Sequence, residues 1–179
     1  MPGRKLVVLR GVPGAGKSMV ARALQKKLGG DTWIIDLDRY APDNEASKFE
    51  AALKEAAGHE AVIGELQSGR WHTTDAGRWV SVFKDYELLS FVLDVSEAKG
   101  YTNSCDPRHG TYSPSSRTAY EQTYAKFYSR IESDLFAKGA KLEEKRIDAE
   151  DGNWERISSE IHSIIKPAGL EGNPVGASE

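Results

Sequence analysis

Lys5-Leu6-Val7-Val8-Leu9-Arg10-Gly11-Val12-Pro13-Gly14-Ala15-Gly16-Lys17-Ser18 is the stretch on which the fold turns. Its first half is a short, nearly continuous apolar run rich in β-branched residues, as expected of a strand buried on both faces of a parallel sheet. The run stops at Gly11. From Lys17 onward, Val20, Ala21, Leu24 and Leu28 recur at helical spacing, and Gly29-Gly30 closes the segment. A strand, a glycine-rich turn and a helix therefore follow one another. The turn satisfies GxxxxGK[ST], in the context that this pattern requires. Glycines let successive backbone N–H groups converge on an anion, and the helix presents its positive end to the same point. Gly11, Val12, Pro13, Gly14, Ala15, Gly16, Lys17 and Ser18 are thus expected to cradle a triphosphate, with Lys17 neutralising its outer phosphates and Ser18 ligating Mg²⁺.

The pattern repeats along the chain. Trp33-Ile34-Ile35 ends in Asp36-Leu37-Asp38, Ala61 to Gly64 ends in Glu65, and Leu88 to Val95 is a fourth strand. Ala46 to Ala57 and Asp75 to Lys84 read as the helices between them. Strands alternating with helices imply right-handed crossovers and an α/β fold, a three-layer P-loop sandwich around a parallel sheet. Tyr101 to Ser116 has no periodicity and reads as a lid loop. Tyr120, Tyr124, Phe127, Ile131 and Leu135 then form a helical stripe capped by Ser115 or Ser116. Lys145 to Ile147 is a short last strand, and Trp154, Ile157, Ile161, Ile164 and Ile165 mark a closing helix. Residues 1–166 form one domain, and the Gly-, Pro- and Ser-rich 167–179 segment is expected to be a disordered tail.

Composition narrows the chemistry. Across 179 residues, 24 Lys and Arg stand against 27 Asp and Glu, a formal charge of −3, so the whole-molecule field does not draw polyanions from a distance. Any nucleic-acid contact must come from a local patch. The single Cys105 excludes an internal disulfide and a multi-thiolate zinc site. No apolar run approaches the roughly 20 residues that span a bilayer, and no signal-peptide core opens the chain, so a cytoplasmic protein is expected. The guanine-reading NKxD and the DxxG switch patterns are both absent. What remains is an acid at the end of the second strand, another at the end of the third, and an Arg-containing loop after the fourth. These are the parts of a kinase, gathered on the sheet edge where open α/β folds bind ligands.

Three segments resemble the P-loop polynucleotide kinases, as found in phages and RNA-repair enzymes: the P-loop with its preceding Arg10, Ile35-Asp36-Leu37-Asp38-Arg39-Tyr40, and Asn103 through Gly110 with Arg108-His109-Gly110. The resemblance implies transfer of the γ-phosphate of ATP or GTP to a hydroxyl, usually a nucleic-acid 5′-OH or, in related phage enzymes, a hydroxymethylated base. It implies a general base at Asp38 or Asp36. Asp38 with Tyr40 matches the family's Asp-Asp-Tyr segment and is favoured, leaving Asp36 to hold Mg²⁺ through water. Arg108 falls where the family places a phosphate-clamping lid arginine. An earlier lid arginine is replaced here by Thr102 or Asn103, with Lys99 available to compensate. Glu65 falls where the family commonly has an Asp that positions a substrate-binding Arg, which suggests a Glu65–Arg39 pair. Gln67, Arg70, Trp71, His72 and Arg78 combine cations with an aromatic face, suited to a nucleic-acid end.

Two other readings stay open. A small-molecule kinase of the same fold, acting on a nucleoside, sugar or antibiotic hydroxyl, suits the acidic charge balance and the small size. A nucleotide-binding regulatory module without acceptor chemistry is the third, against which Asp38 and Arg108 stand.

Overall fold

The computed structural model describes residues 4–40, 45–69, 76–110, 112–131 and 142–165. β1 (Arg4–Arg10) is the central strand of a five-stranded sheet in the order β2-β3-β1-β4-β5, with β2 (Thr32–Ile34), β3 (Ala61–Leu66), β4 (Tyr86–Asp94) and β5 (Leu142–Asp148) all parallel. Successive side chains of a strand point to opposite faces, and β1 is apolar on both. Val7 and Leu9 enter one buried cluster with Val20 and Leu24 of α1 (Lys17–Leu28) and Ile157 and Ile161 of α6 (Trp154–Ile165). Leu6 and Val8 enter the other, with Phe49 of α2 (Glu45–Glu55) and Trp79 and Phe83 of α3 (Ala76–Phe83). The continuous hydrophobic run is thus the signature of a strand with a helical layer on each side. Gly64 in β3 has its reason here, since a Cβ would stand 2.3 Å from the Phe49 ring.

The expected α/β sandwich is the one observed; β1, β3 and β5 run a residue or more beyond the expected apolar runs, whereas β2 and β4 start earlier and stop one residue short, at Ile34 and Asp94. Two local readings differ. The lid is not a loop from Tyr101: α4 (Glu97–Ser104) opens it, with Ser96 Oγ accepting from Lys99 N at 3.2 Å as an N-cap. α5 (Arg117–Ser129) has no side-chain cap from Ser116, because the hydroxyls of Ser113, Ser115 and Ser116 bond one another instead. In the expected stripe Tyr120 and Phe127 are buried; Leu135 and the 167–179 segment lie outside the described residues. Among those residues no helix is long and apolar enough to cross a membrane.

Candidate nucleotide and metal site

The P-loop runs from β1 into α1 with Gly14 (φ 78°) and Gly16 (φ 87°) both left-handed, a conformation that L side chains rarely adopt. α1 begins with no side-chain cap and no acid in its first turn, which leaves its amino end available to an anion. Lys17 is buried, and its Nζ donates to the carbonyls of Gly11 at 2.8 Å and Val12 at 3.0 Å. The loop's own carbonyls thus hold the ammonium inside the ring they form.

Ser18 Oγ donates to Glu65 Oε2 at 2.8 Å. The contact follows from register: Leu9 pairs with Glu65, so the tip of β3 stands beside the start of the P-loop. Burial pushes the Glu65 carboxyl above the ordinary range. The Ser18 hydrogen bond and the charges of Lys17 and Arg22 pull it back, and Asp36 adds to the rise. Glu65 is therefore engaged with Ser18 rather than with Arg39, and no Glu65–Arg39 ion pair forms among the described residues. A hydroxyl and a carboxylate in contact at the mouth of a phosphate cradle are hard oxygen donors of the kind Mg²⁺ takes. Asp36, exposed and acting on the same carboxylate, fits as a further donor through water.

β2 gives way to a short 3-10 turn, Leu37–Arg39, which carries Asp38 and the exposed Arg39. The Asp38 side chain lies outside the described set. Tyr40 closes the turn and donates to Glu55 Oε2 at 2.9 Å.

The lid sits on the apex of the P-loop. Asn103 Nδ2 donates to Gly14 O at 3.0 Å, and a Cβ on Gly14 would lie 2.2 Å from Gly100 O and 2.6 Å from Ser104 Oγ. Asn103, one of the two residues standing where the resembled family has an arginine, thus grips the cradle through its backbone. Glu150 anchors the base of α4, accepting from Ser96 N and Ser96 Oγ, both at 2.7 Å. Arg108 is held elsewhere: its guanidinium and its backbone N both bond Asp106, whose carboxyl is driven well below the usual range, and the side chain is 84% exposed. The structure does not bring Arg108 to the P-loop. His109 N donates to Asp106 O at 2.8 Å in the same turn.

Trp154, expected only as part of the closing helix, covers the other flank. A Cβ on Gly16 would stand 2.4 Å from its ring. Beside it opens a cleft of about 400 Å³, lined by Met19, Arg22 and Lys26 of α1 and by Asn153 and Trp154. Arg78 belongs to another region. It bonds Glu50 on α2 at 3.0 Å and lines a second cleft with Arg4 and Tyr86, which start β1 and β4 and so lie at the strand ends away from the P-loop. Arg70 and Trp71 lie outside the described residues.

No protein-family model matches the chain, and no curated protein matches it in sequence. Solved structures do match. The APS kinase of Mycobacterium tuberculosis, in complex with AMPPNP and APS, superposes with a TM-score of 0.60 at 14% identity, covering 93% of this chain and 100% of that one. Shikimate kinase from Acinetobacter baumannii, in complex with shikimate, gives 0.59 at 14% identity over 90% of this chain and 93% of that one. Deoxyadenosine kinase from M. mycoides, with products bound, gives 0.54 at 15% identity over 89% and 97%. At such identities the likeness is one of fold. This chain has the fold of the P-loop kinases along nearly its whole described length.

Proposed function

We propose that the protein is a Mg²⁺-dependent P-loop kinase that moves the γ-phosphate of a nucleoside triphosphate to a hydroxyl of a small molecule. The observation that carries this is the Ser18–Glu65 contact at the mouth of the cradle, which sets a metal-seeking pair beside a buried lysine on the sheet edge where such folds bind ligands. A bound Mg²⁺, held by Ser18 and Glu65 with Asp36 through water, would neutralise charge on the transferred group. Lys17 is the cation for the outer phosphates. Asp38 is the base that takes the proton of the attacking hydroxyl, and Arg108 is the cation that swings from Asp106 to the transferred group.

Three features favour a small acceptor over a nucleic-acid end. The chain carries a charge of −3. Arg78, one of the cations expected to bind a polyanion, is occupied by Glu50 away from the P-loop. The similar solved structures include kinases named for shikimate, deoxyadenosine, APS and gluconate chemistry. The test is an ADP-release assay with Mg·ATP and Mg·GTP against a panel: a polyol acid, an aldonate, a nucleoside, an adenylyl sulfate and a 5′-hydroxyl oligonucleotide. Acceleration by a small hydroxyl compound is expected. Acceleration by the oligonucleotide alone would establish the polynucleotide reading instead, and nucleotide binding with no acceleration would leave a regulatory module. With an acceptor in hand, Asp38→Asn should lower kcat by at least about a hundredfold with little change in Mg·ATP affinity, because general-base catalysis contributes about that much.

A further inference from the structure

Arg10 ends the central strand one residue before the P-loop, and its side chain is fully buried. A charge so placed must be paired and hydrogen-bonded. Its Nη1 is bound to Glu144 of β5, which also accepts from Ser90 Oγ of β4 at 2.8 Å. The rest of the guanidinium reaches the other way. Nε and Nη2 donate to Ser68 O at 3.3 Å, and Nη2 donates to Gly69 O at 2.6 Å. Those carbonyls lie three and four residues beyond Glu65, in the segment leaving β3. Gly69 in turn has no room for a side chain, since a Cβ would stand 2.3 Å from Phe127 O at the last turn of α5. One buried guanidinium therefore ties β5, the segment after Glu65 and, through Gly69, the helix by which the lid returns to the sheet.

We propose that Arg10 is a positioning residue: clamped to Glu144, it fixes the Ser68–Gly69 backbone against the end of α5, so that the strand tip carrying Glu65 and the returning lid helix hold one geometry during phosphoryl transfer. The role in transfer rests on the kinase function proposed above, but the clamp itself does not. Only arginine offers a planar fork that can serve a carboxylate and two carbonyls at once, so lysine is a poor substitute. Removing Arg10 alone would leave the half-buried Glu144 without its counter-charge, held only by Ser90 Oγ, and so cost stability. The informative variant is therefore the double Arg10→Met/Glu144→Met, which removes both charges together and keeps apolar volume.

Hydrogen exchange and nucleotide titration on the full chain test the clamp without any acceptor. The double variant should unfold cooperatively near the wild-type temperature and bind Mg·AMPPNP within about threefold of wild type. It should nonetheless lose tenfold or more in protection both over Leu66–Gly69 and over Phe127–Arg130. On an acceptor found by the panel, its kcat should fall at least tenfold while the KM for ATP holds, because the clamp acts on geometry during transfer and not on binding. Unchanged protection at either segment, or a wild-type kcat in the double variant, would reduce the pair to a structural one and overturn the proposal. Loss of protection with no acceptor found by the panel would sustain the clamp and count against the kinase reading.

Discussion

Glu65 is pulled two ways. Its burial favours the protonated acid, while Ser18, Lys17 and Arg22 favour the carboxylate, and burial is the largest of these influences. A carboxyl raised above its unfolded value binds more protons in the folded chain than in the unfolded one, so the free protein should lose stability as pH climbs from the ordinary glutamate range through the raised value. Metal binding needs the deprotonated form and should show the reverse, weakening as pH falls through that same window. Glu65→Gln should flatten both profiles; thermal melts across pH, with and without Mg·ATP, check this, and an unchanged pH dependence in the variant would contradict it. The sequence marked Glu65 as an acid at a strand tip yet suggested Arg39 as its partner. The true neighbour depends on the β1–β3 register, Leu9 against Glu65, which no spacing within one strand encodes.

At the scale of elements, the union of P-loop and α4 is set by the absence of side chains. Gly14 combines a left-handed φ of 78° with contact against Gly100 O, so Gly14→Ala should cost about 1–3 kcal/mol from backbone strain alone and should also displace α4. Denaturant melts give the first quantity, and Mg·ATP affinity should fall with it. Asn103→Ala, which loses one neutral hydrogen bond, should cost only about 0.5–1.5 kcal/mol. The reverse order of severity would show that the side chain, not the close approach, joins lid to loop. α4 escaped the sequence reading for a related reason. Its buried residues are Gly100 and Ser104, so the face it packs on the cradle has no apolar rhythm to reveal a helix. β1 and α1 were legible because their buried faces are Val, Leu and Ala at clean periods.

The described residues divide into two apolar layers that share the sheet, and the one holding α1 and α6 includes Val12 and Ala15 of the cradle itself. Phe49, fully buried in the other layer between Trp79 and Phe83, should therefore separate stability from binding. Phe49→Ala should lose about 3–5 kcal/mol of unfolding free energy, while the fraction that remains folded binds Mg·ATP as the wild type does; a parallel loss of affinity would show that the layers are coupled. At this scale the sequence was most informative, because alternating strands and helices dictate a parallel sandwich whatever their exact limits. It was least informative about Arg10, whose partners Glu144 and Gly69 lie 134 and 59 residues away along the chain.

The most direct trial of the kinase reading is to follow the γ-phosphate itself. Wild-type protein and Glu65→Gln, each given γ-labelled ATP, Mg²⁺ and a mixture of small metabolites and 5′-hydroxyl nucleic acid, should differ in one respect: wild type carries label into the small-molecule fraction, and the variant leaves it on ATP. Label reaching only nucleic acid, ending as free phosphate, or moving equally well in the variant would contradict it.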